Sequence, residues 1–227
     1  MAAVRSNPGD FSPLARAYRA LEFLAFGRDL ERARFCFVRE LRDCRHILVL
    51  GEGDGRFLAR LAEAAPGARI HCVDSSPAMI ELAAARLSGT GAETRVSFEQ
   101  ADVLRAKFDP ETYDGVVTLF FLDCFTPRQV AAVESLVRPS LCGGARWLFA
   151  DFALPAGGIR RWRAAAWIKV LYSFFGWTTG LTIRSLPPSE EILLERGFRR
   201  VASRDFQGGL VRSAWFELTP PCARPGK

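Results

Sequence analysis

The run Ile47-Leu48-Val49-Leu50-Gly51-Glu52-Gly53-Asp54-Gly55-Arg56-Phe57-Leu58 passes from four apolar residues to three alternating glycines and then to a helix-compatible segment. That order spells a buried strand, a tight turn and the first turn of a helix. Glycine lacks a Cβ and accepts positive φ, so a ligand can approach the bare backbone of such a turn. The first N–H groups of the following helix have no intrahelical partner and point into the same space.

On either side, strands and helices alternate. Upstream, Leu14, Tyr18, Leu21, Leu24 and Ala25 recur at helical spacing within Phe11 to Leu41. Gly27 breaks that helix and Asp29 starts a second one through Phe35, Val38 and Leu41. Residues 1–44 read as an N-terminal helical cap. Downstream come a strand at His46 to Leu50, a helix at Arg56 to Ala64 and a strand at Arg69 to Val73 ending on Asp74. Ser75-Ser76-Pro77 then pairs a serine cap with a proline in the first turn of a helix. Strands are expected at Arg95 to Phe98, Gly115 to Phe121 and Arg146 to Phe152. A helix is expected at Pro127 to Leu136, and Gly143-Gly144 reads as a turn. Near-continuous apolar strands alternating with helices indicate a parallel sheet covered on both faces.

The pattern changes after Asp151. Ile159 to Trp177 is an aromatic, basic-flanked helical region, and Pro187-Pro188-Ser189 opens a helix over Glu190 to Arg196, closed by Gly197. Phe198 to Phe206 and Leu210 to Leu218 pair as a hairpin across Gln207-Gly208-Gly209. The expected fold is therefore α/β and doubly wound: a mostly parallel seven-stranded sheet with helices on both faces and an antiparallel C-terminal hairpin. It reads as one domain, with a cap (1–44), a ligand-binding half (45–152), an inserted aromatic helix (153–185), and a C-terminal helix and hairpin (186–218).

Four motifs in order resemble the class I, Rossmann-like S-adenosylmethionine-dependent methyltransferases. They are Leu50-Gly51-Glu52-Gly53-Asp54-Gly55, Val73-Asp74-Ser75-Ser76-Pro77-Ala78-Met79, Glu99-Gln100-Ala101-Asp102-Val103 and Tyr113-Asp114-Gly115-Val116-Val117-Thr118-Leu119-Phe120. The resemblance covers Arg45 to Phe152, about half of the chain. It implies S-adenosylmethionine as cofactor, with Gly51, Glu52, Gly53, Gly55, Asp74, Ser75, Met79, Asp102, Val103 and Phe120 around it. In the family the acid closing the second strand holds the ribose hydroxyls, and the third motif reaches the adenine amino edge. Carboxylates suit both tasks because they accept hydrogen bonds from hydroxyls and amines. Simpler roles exist for three of them: Asp74 and Asp102 as local caps, and Glu52 as a solvated turn residue. The family often carries an acid two positions before the first glycine, where this chain has Val49; Glu52 and Asp54 are candidate substitutes. A dinucleotide site is disfavoured, since its third small residue would fall at Arg56.

The acceptor side is less legible. The fourth strand ends in Leu119-Phe120-Phe121-Leu122-Asp123, without the Asn/Asp-Pro-Pro-aromatic sequence of amino-methylating nucleic-acid enzymes. Cys124 has no neighbouring proline and reads as buried packing. His71 reads as a core or rim residue. Asp123 and Asp151 are the candidate catalytic groups, Asp123 having a helix-capping role near Thr126 as its alternative. Tyr18, Phe121 and Trp167 are the candidate substrate-side residues. Trp162, Trp167, Tyr172, Phe174, Phe175 and Trp177, flanked by Arg160, Arg161, Arg163, Lys169 and Arg184, suit a lid over an apolar acceptor, an interfacial helix at 159–184, or ordinary core packing. Asp151-Phe152-Ala153-Leu154-Pro155 before such an insertion loosely resembles the small-molecule and quinone C-methyltransferases.

Composition sets outer limits. The chain has 227 residues, 49% hydrophobic and 25% charged, which provides for a sizeable core. A net charge of +6 arises from interspersed charges, so it reads as a mixed surface before it reads as a nucleic-acid site. Six cysteines without a C-x-x-C pair, and only two histidines, make a metal site unexpected and point to a reduced, cytoplasmic chain. No apolar signal region opens the sequence. Ala164 to Ile183 is nearly long enough to span a membrane, but Lys169 in its middle would cost about 2.5–3.5 kcal/mol. The expectation is a methyltransferase acting on a small apolar or amphipathic acceptor that is quinone-, lipid- or aromatic-like. The alternatives are a non-catalytic scaffold of the same fold, and an RNA methyltransferase, for which no appended RNA-binding motif is recognisable.

Overall fold

A computed structural model describes residues 28–155, 157 and 186–219. The expected cap helix with Tyr18, the aromatic segment 159–184 with Trp167, and the tail from 220 lie outside the described residues. The strands are β1 (His46–Leu50), β2 (Arg69–Asp74), β3 (Val96–Gln100), β4 (Tyr113–Leu119), β5 (Leu141–Phe152), β6 (Phe198–Phe206) and β7 (Val211–Leu218). The helices are α1 (Asp29–Phe35), α2 (Arg56–Ala64), α3 (Pro77–Leu87), α4 (Pro127–Val137) and α5 (Ser189–Glu195).

All seven strands join one sheet in the order β3-β2-β1-β4-β5-β7-β6. The first five are parallel, and β7 enters antiparallel between β5 and β6. Strand order reverses at β1, where β2 lies on one side and β4 on the other, so the crevice at the C-terminal strand ends opens over the glycine turn. Side chains alternate across a strand. In β1, Ile47 and Val49 enter one core cluster with Phe57, Leu58, Leu61 and Ile70, while Leu48 and Leu50 enter the other with Val73, Val130, Val133 and Trp147. Each such side chain contributes about 1.5–3 kcal/mol on full burial. The Trp147 indole N–H, fully buried, donates to Thr118 Oγ1 at 2.8 Å.

Polar side chains fix where the elements begin. Thr126 and Gln129 form a reciprocal capping box at the start of α4, and the Ser76 side chain accepts from Met79 N at the start of α3. The Asp114 carboxylate accepts from the backbone N–H of Arg45 and His46, tying the start of β4 to the start of β1.

Several boundaries differ from the sequence reading. The helix expected through Leu41 stops at Phe35, and Val38–Leu41 is a separate 3-10 turn. Arg95 sits in a 3-10 turn ahead of β3, where its guanidinium donates to the Ala62 carbonyl in the last turn of α2 and to the Ala65 and Ala68 carbonyls in the loop after it. β4 ends at Leu119, because Phe120 turns to positive φ. Gly143-Gly144 lies inside β5, as a register irregularity between the Tyr113–Leu141 and Gly115–Arg146 pairings. Leu210 belongs to the hairpin turn and not to the strand. Cys124, expected in the core, is exposed, and its Sγ donates to Asp123 Oδ1 at 3.5 Å.

Candidate active site

The three glycines of the turn all have positive φ, at +66° (Gly51), +75° (Gly53) and +82° (Gly55). Their surroundings differ. A Cβ on Gly51 would overlap the Phe121 ring, and one on Gly55 would stand 2.6 Å from the Ala83 Cα of α3. A Cβ on Gly53 would meet nothing within 4 Å. The outer two glycines are therefore packing positions, and Gly53 carries the bare backbone that faces open space.

Glu52, between them, turns inward. It is 6% exposed, and its Oε1 accepts from the N–H groups of Phe57 and Leu58, both at 3.1 Å. Burial pushes its carboxyl up to about 7, against the backbone donors that favour the charged form. Its carboxylate is thus engaged with the start of α2. Asp54 ion-pairs with Arg56 at 3.1 Å and Arg86 at 3.5 Å. Val49, at the position where the family often has an acid, is a fully buried core residue of β1.

Asp74 closes β2 beside this turn. Its Oδ2 accepts from Gly53 N at 3.4 Å and its Oδ1 from Ser76 N at 2.9 Å. Burial raises its pKa. Each carboxylate oxygen keeps a further lone pair for a ligand hydroxyl. Ser75 is exposed next to it, and Met79 is half-buried in the first turn of α3. The third motif is held alongside, because Ala101 N donates to the Asp74 carbonyl at 3.1 Å. Asp102 is exposed and accepts from Leu104 N at 3.0 Å, while Val103 is buried beneath it. First, second and third motifs therefore surround one opening at the C-terminal ends of β1, β2 and β3.

The end of β4 forms the other wall. Phe120 N donates to the Ala150 carbonyl at 2.6 Å, and the Phe120 ring lies edge-on to Phe152 and under the Arg34 guanidinium. Phe121 covers Gly51 and packs edge-to-face on Phe125, so it borders the glycine turn directly. Two residues on, Asp123 is 7% exposed and faces Asp151 of β5, which is 2% exposed. The two carboxyls sit close enough that the charge on one acts on the other. Burial raises both, and the Asp123 charge raises Asp151 further, well above the usual carboxyl range.

Asp123 and Asp151 line a cavity of about 260 Å³ whose other walls include Phe149, Phe152, Pro187, Ser189 and Arg212. Sequence reasoning nominated both aspartates separately; only the parallel β4–β5 pairing brings them together. Ser189 was read simply as part of a helix start. No linear signal places Pro187-Pro188-Ser189 beside Asp151, since that contact forms between segments far apart in the chain. Arg34 was likewise hidden, because only the fold lays α1 across Phe120. Among the described residues, no group of three or more His, Cys, Asp or Glu side chains is placed to hold a metal ion, and no helix is long and apolar enough to cross a membrane.

Residues 47–144 match the family described as "Methyltransferase domain". The chain is also similar to a demethylmenaquinone methyltransferase of Thermus thermophilus, 33% identical over 150 residues, which cover 65% of this chain and 66% of that enzyme. Residues 47–144 are thus a methyltransferase domain, and the motifs within it are those of the class I S-adenosylmethionine-dependent methyltransferases. Solved methyltransferase structures share its fold. The mitomycin 7-O-methyltransferase MmcR superposes with a TM-score of 0.66 at 18% identity, over 92% of this chain and 58% of that one. The 1,6-didemethyltoxoflavin-N1-methyltransferase of Burkholderia thailandensis, solved with its substrate and S-adenosylhomocysteine, superposes with a TM-score of 0.60 at 19% identity, over 97% of this chain and 94% of that one. The domain match, with the S-adenosylhomocysteine bound in the Burkholderia enzyme, implies S-adenosylmethionine as the cofactor. The chain spans 66% of the curated relative it matches.

Proposed function

We propose that the protein transfers a methyl group from S-adenosylmethionine to a small apolar or amphipathic acceptor bound beside Asp123 and Asp151. The observation that carries this reading is the adjacency of two compartments across Phe121. On one side lie the open backbone of Gly53 and the carboxylate of Asp74. On the other lies the walled cavity with its buried carboxyl pair.

Each side has a definite task. Gly53 lets the cofactor lie against the chain, and Asp74 accepts its ribose hydroxyls. Ser75 and Met79 border the nucleoside, Asp102 and Val103 border the base, and Gly51 and Phe121 fix the floor between donor and acceptor. Bound there, S-adenosylmethionine supplies an electrophilic methyl group on a good leaving group. The chain's remaining contribution is to position the acceptor and keep water out. Asp123 and Asp151 orient a polar group of the acceptor and receive its proton where the chemistry releases one. The apolar walls Phe149 and Phe152 favour a flat or hydrocarbon acceptor over a polar polymer. The printed activity of the Thermus relative, on demethylmenaquinone, supports an acceptor of quinone-like character.

Incubation with S-adenosylmethionine labelled in its methyl group, together with fractionated cell extract, tests the proposal. Label is expected in the lipid or small-molecule fraction. Label in RNA or protein, or in no fraction, would overturn it.

A further inference from the structure

The cavity contains more polar chemistry than methyl transfer to an apolar carbon needs. Asp151 is 2% exposed and Ser189 4% exposed, and both face the cavity. The Ser189 hydroxyl has no hydrogen-bond partner, and the Asp151 carboxyl has only the Asp123 carboxyl and the backbone N–H groups of Phe121 and Asp123 beside it. A carboxyl has about four lone-pair sites, more than these neighbours fill, and Asp151 lines the cavity. A buried hydroxyl left without a partner is costly, so a ligand partner is expected.

Ser189 is unusual in its own element. It is the first residue inside α5, and the N-cap before it is Pro188, whose side chain has no polar group to cap the helix. Pro187 and Pro188 precede it and hold the segment's φ angles near one value, so the hydroxyl is carried to the cavity wall instead of folding back on the helix. Glu190, next along, is engaged with Arg200 and Arg212, and Arg212 is locked to Asp205 by two hydrogen bonds of 2.7 and 3.1 Å. The charged wall is thus internally neutralised, which leaves Asp151 and Ser189 as the recognition groups.

We propose that Asp151 and Ser189 form a clamp for a single neutral hydroxyl on a flat ring of the acceptor. A hydroxyl donates to Asp151 and accepts from the Ser189 O–H at the same time, so it satisfies both residues. An anionic group is repelled by the carboxyls of Asp123, Asp151 and Glu191 around the cavity. An ammonium has no lone pair to accept the Ser189 proton, so it leaves that hydroxyl unsatisfied. Phe149 and Phe152 supply the apolar surface for the ring, and about 260 Å³ suits one or two rings. This inference rests on the reading of the cavity as the acceptor site.

The test uses 2-naphthol and 2-methoxynaphthalene as probes, titrated by calorimetry or tryptophan fluorescence into the full chain saturated with S-adenosylhomocysteine. These probes share the ring and differ in the donor. 2-Naphthol is expected to bind at least tenfold more tightly, and Ser189→Ala to erase most of that advantage without altering affinity for 2-methoxynaphthalene. Asp151→Asn is expected to do the same if it folds; Ser189→Ala keeps the test decisive if it does not. Equal affinity for both probes, or a naphthol preference untouched by Ser189→Ala, would overturn the clamp. S-adenosylhomocysteine binding, measured first on the same samples, distinguishes this failure from failure of the methyltransferase reading, because only the latter abolishes it.

Discussion

The Phe121 ring covers Gly51 so closely that any side chain at position 51 would overlap it. One contact therefore joins the first motif, at the end of β1, to the acceptor wall, at the end of β4. It also separates two kinds of glycine in the same turn. Gly51→Ala combines a left-handed backbone with overpacking and is expected to cost about 2–4 kcal/mol in urea unfolding. Gly53→Ala meets only the backbone strain, about 1–2 kcal/mol, and acts mainly by covering the open surface, so it should weaken S-adenosylhomocysteine binding more than it weakens the fold. Equal destabilisation by the two substitutions would count against this division of roles.

Asp74 holds the turn through Gly53 N, and in the proposed site its remaining lone pairs accept the cofactor's ribose hydroxyls. Asp74→Ala removes a charged acceptor, a loss of about 1.5–3 kcal/mol and hence at least tenfold in affinity for S-adenosylhomocysteine. Calorimetry checks the affinity, and circular dichroism should find the secondary structure kept. An unchanged affinity would remove Asp74 from the cofactor site.

Glu52 gives a pH dependence with a definite sign. Its folded-state value, about 7, lies above its ordinary 4.5, so the folded protein holds this proton more tightly than the unfolded chain does. Its contribution is complete below about pH 4.5 and is lost as the pH rises through 7, about 3 kcal/mol in all. Glu52→Gln keeps an acceptor for Phe57 and Leu58 N–H but cannot ionise. Between pH 4.5 and 8 the wild type should therefore lose stability relative to Glu52→Gln, read from denaturant midpoints. A gap between the two proteins that stays constant with pH would show that Glu52 is not held protonated.

The Asp123–Asp151 pair should titrate as a unit. Carbon-13 carboxyl spectra are expected to reveal one proton retained on the pair above the ordinary carboxyl range. Asp123→Asn should bring the Asp151 titration down, because the Asp123 charge that raises it after burial is gone. Two independent titrations at ordinary values would mean that the carboxyls do not act on each other.

The parallel half of the fold was legible because its signals are local. An apolar run, a glycine turn and a capped helix recur along the chain, and Ser76-Pro77 and Thr126-Pro127 mark helix starts that the structure reproduces. The roles of individual acids were less legible. Glu52 and Asp54 look alike in sequence; one turns inward to α2 and the other outward to Arg56 and Arg86, a choice made by packing. Asp123 and Asp151 were visible only as single candidates, since their pairing depends on the register of β4 against β5. The Ser189 contact depends on where a remote segment returns to the sheet, which no periodicity encodes.

The central claim is that the opening between Gly53 and Asp74 holds S-adenosylmethionine. Isothermal titration of the purified full chain with S-adenosylhomocysteine tests it most directly. Saturable heat with one ligand per chain, abolished or weakened at least tenfold by Asp74→Ala, is the predicted result. No heat with either S-adenosylhomocysteine or S-adenosylmethionine at high concentration, and neither compound co-purifying with the protein, would contradict it.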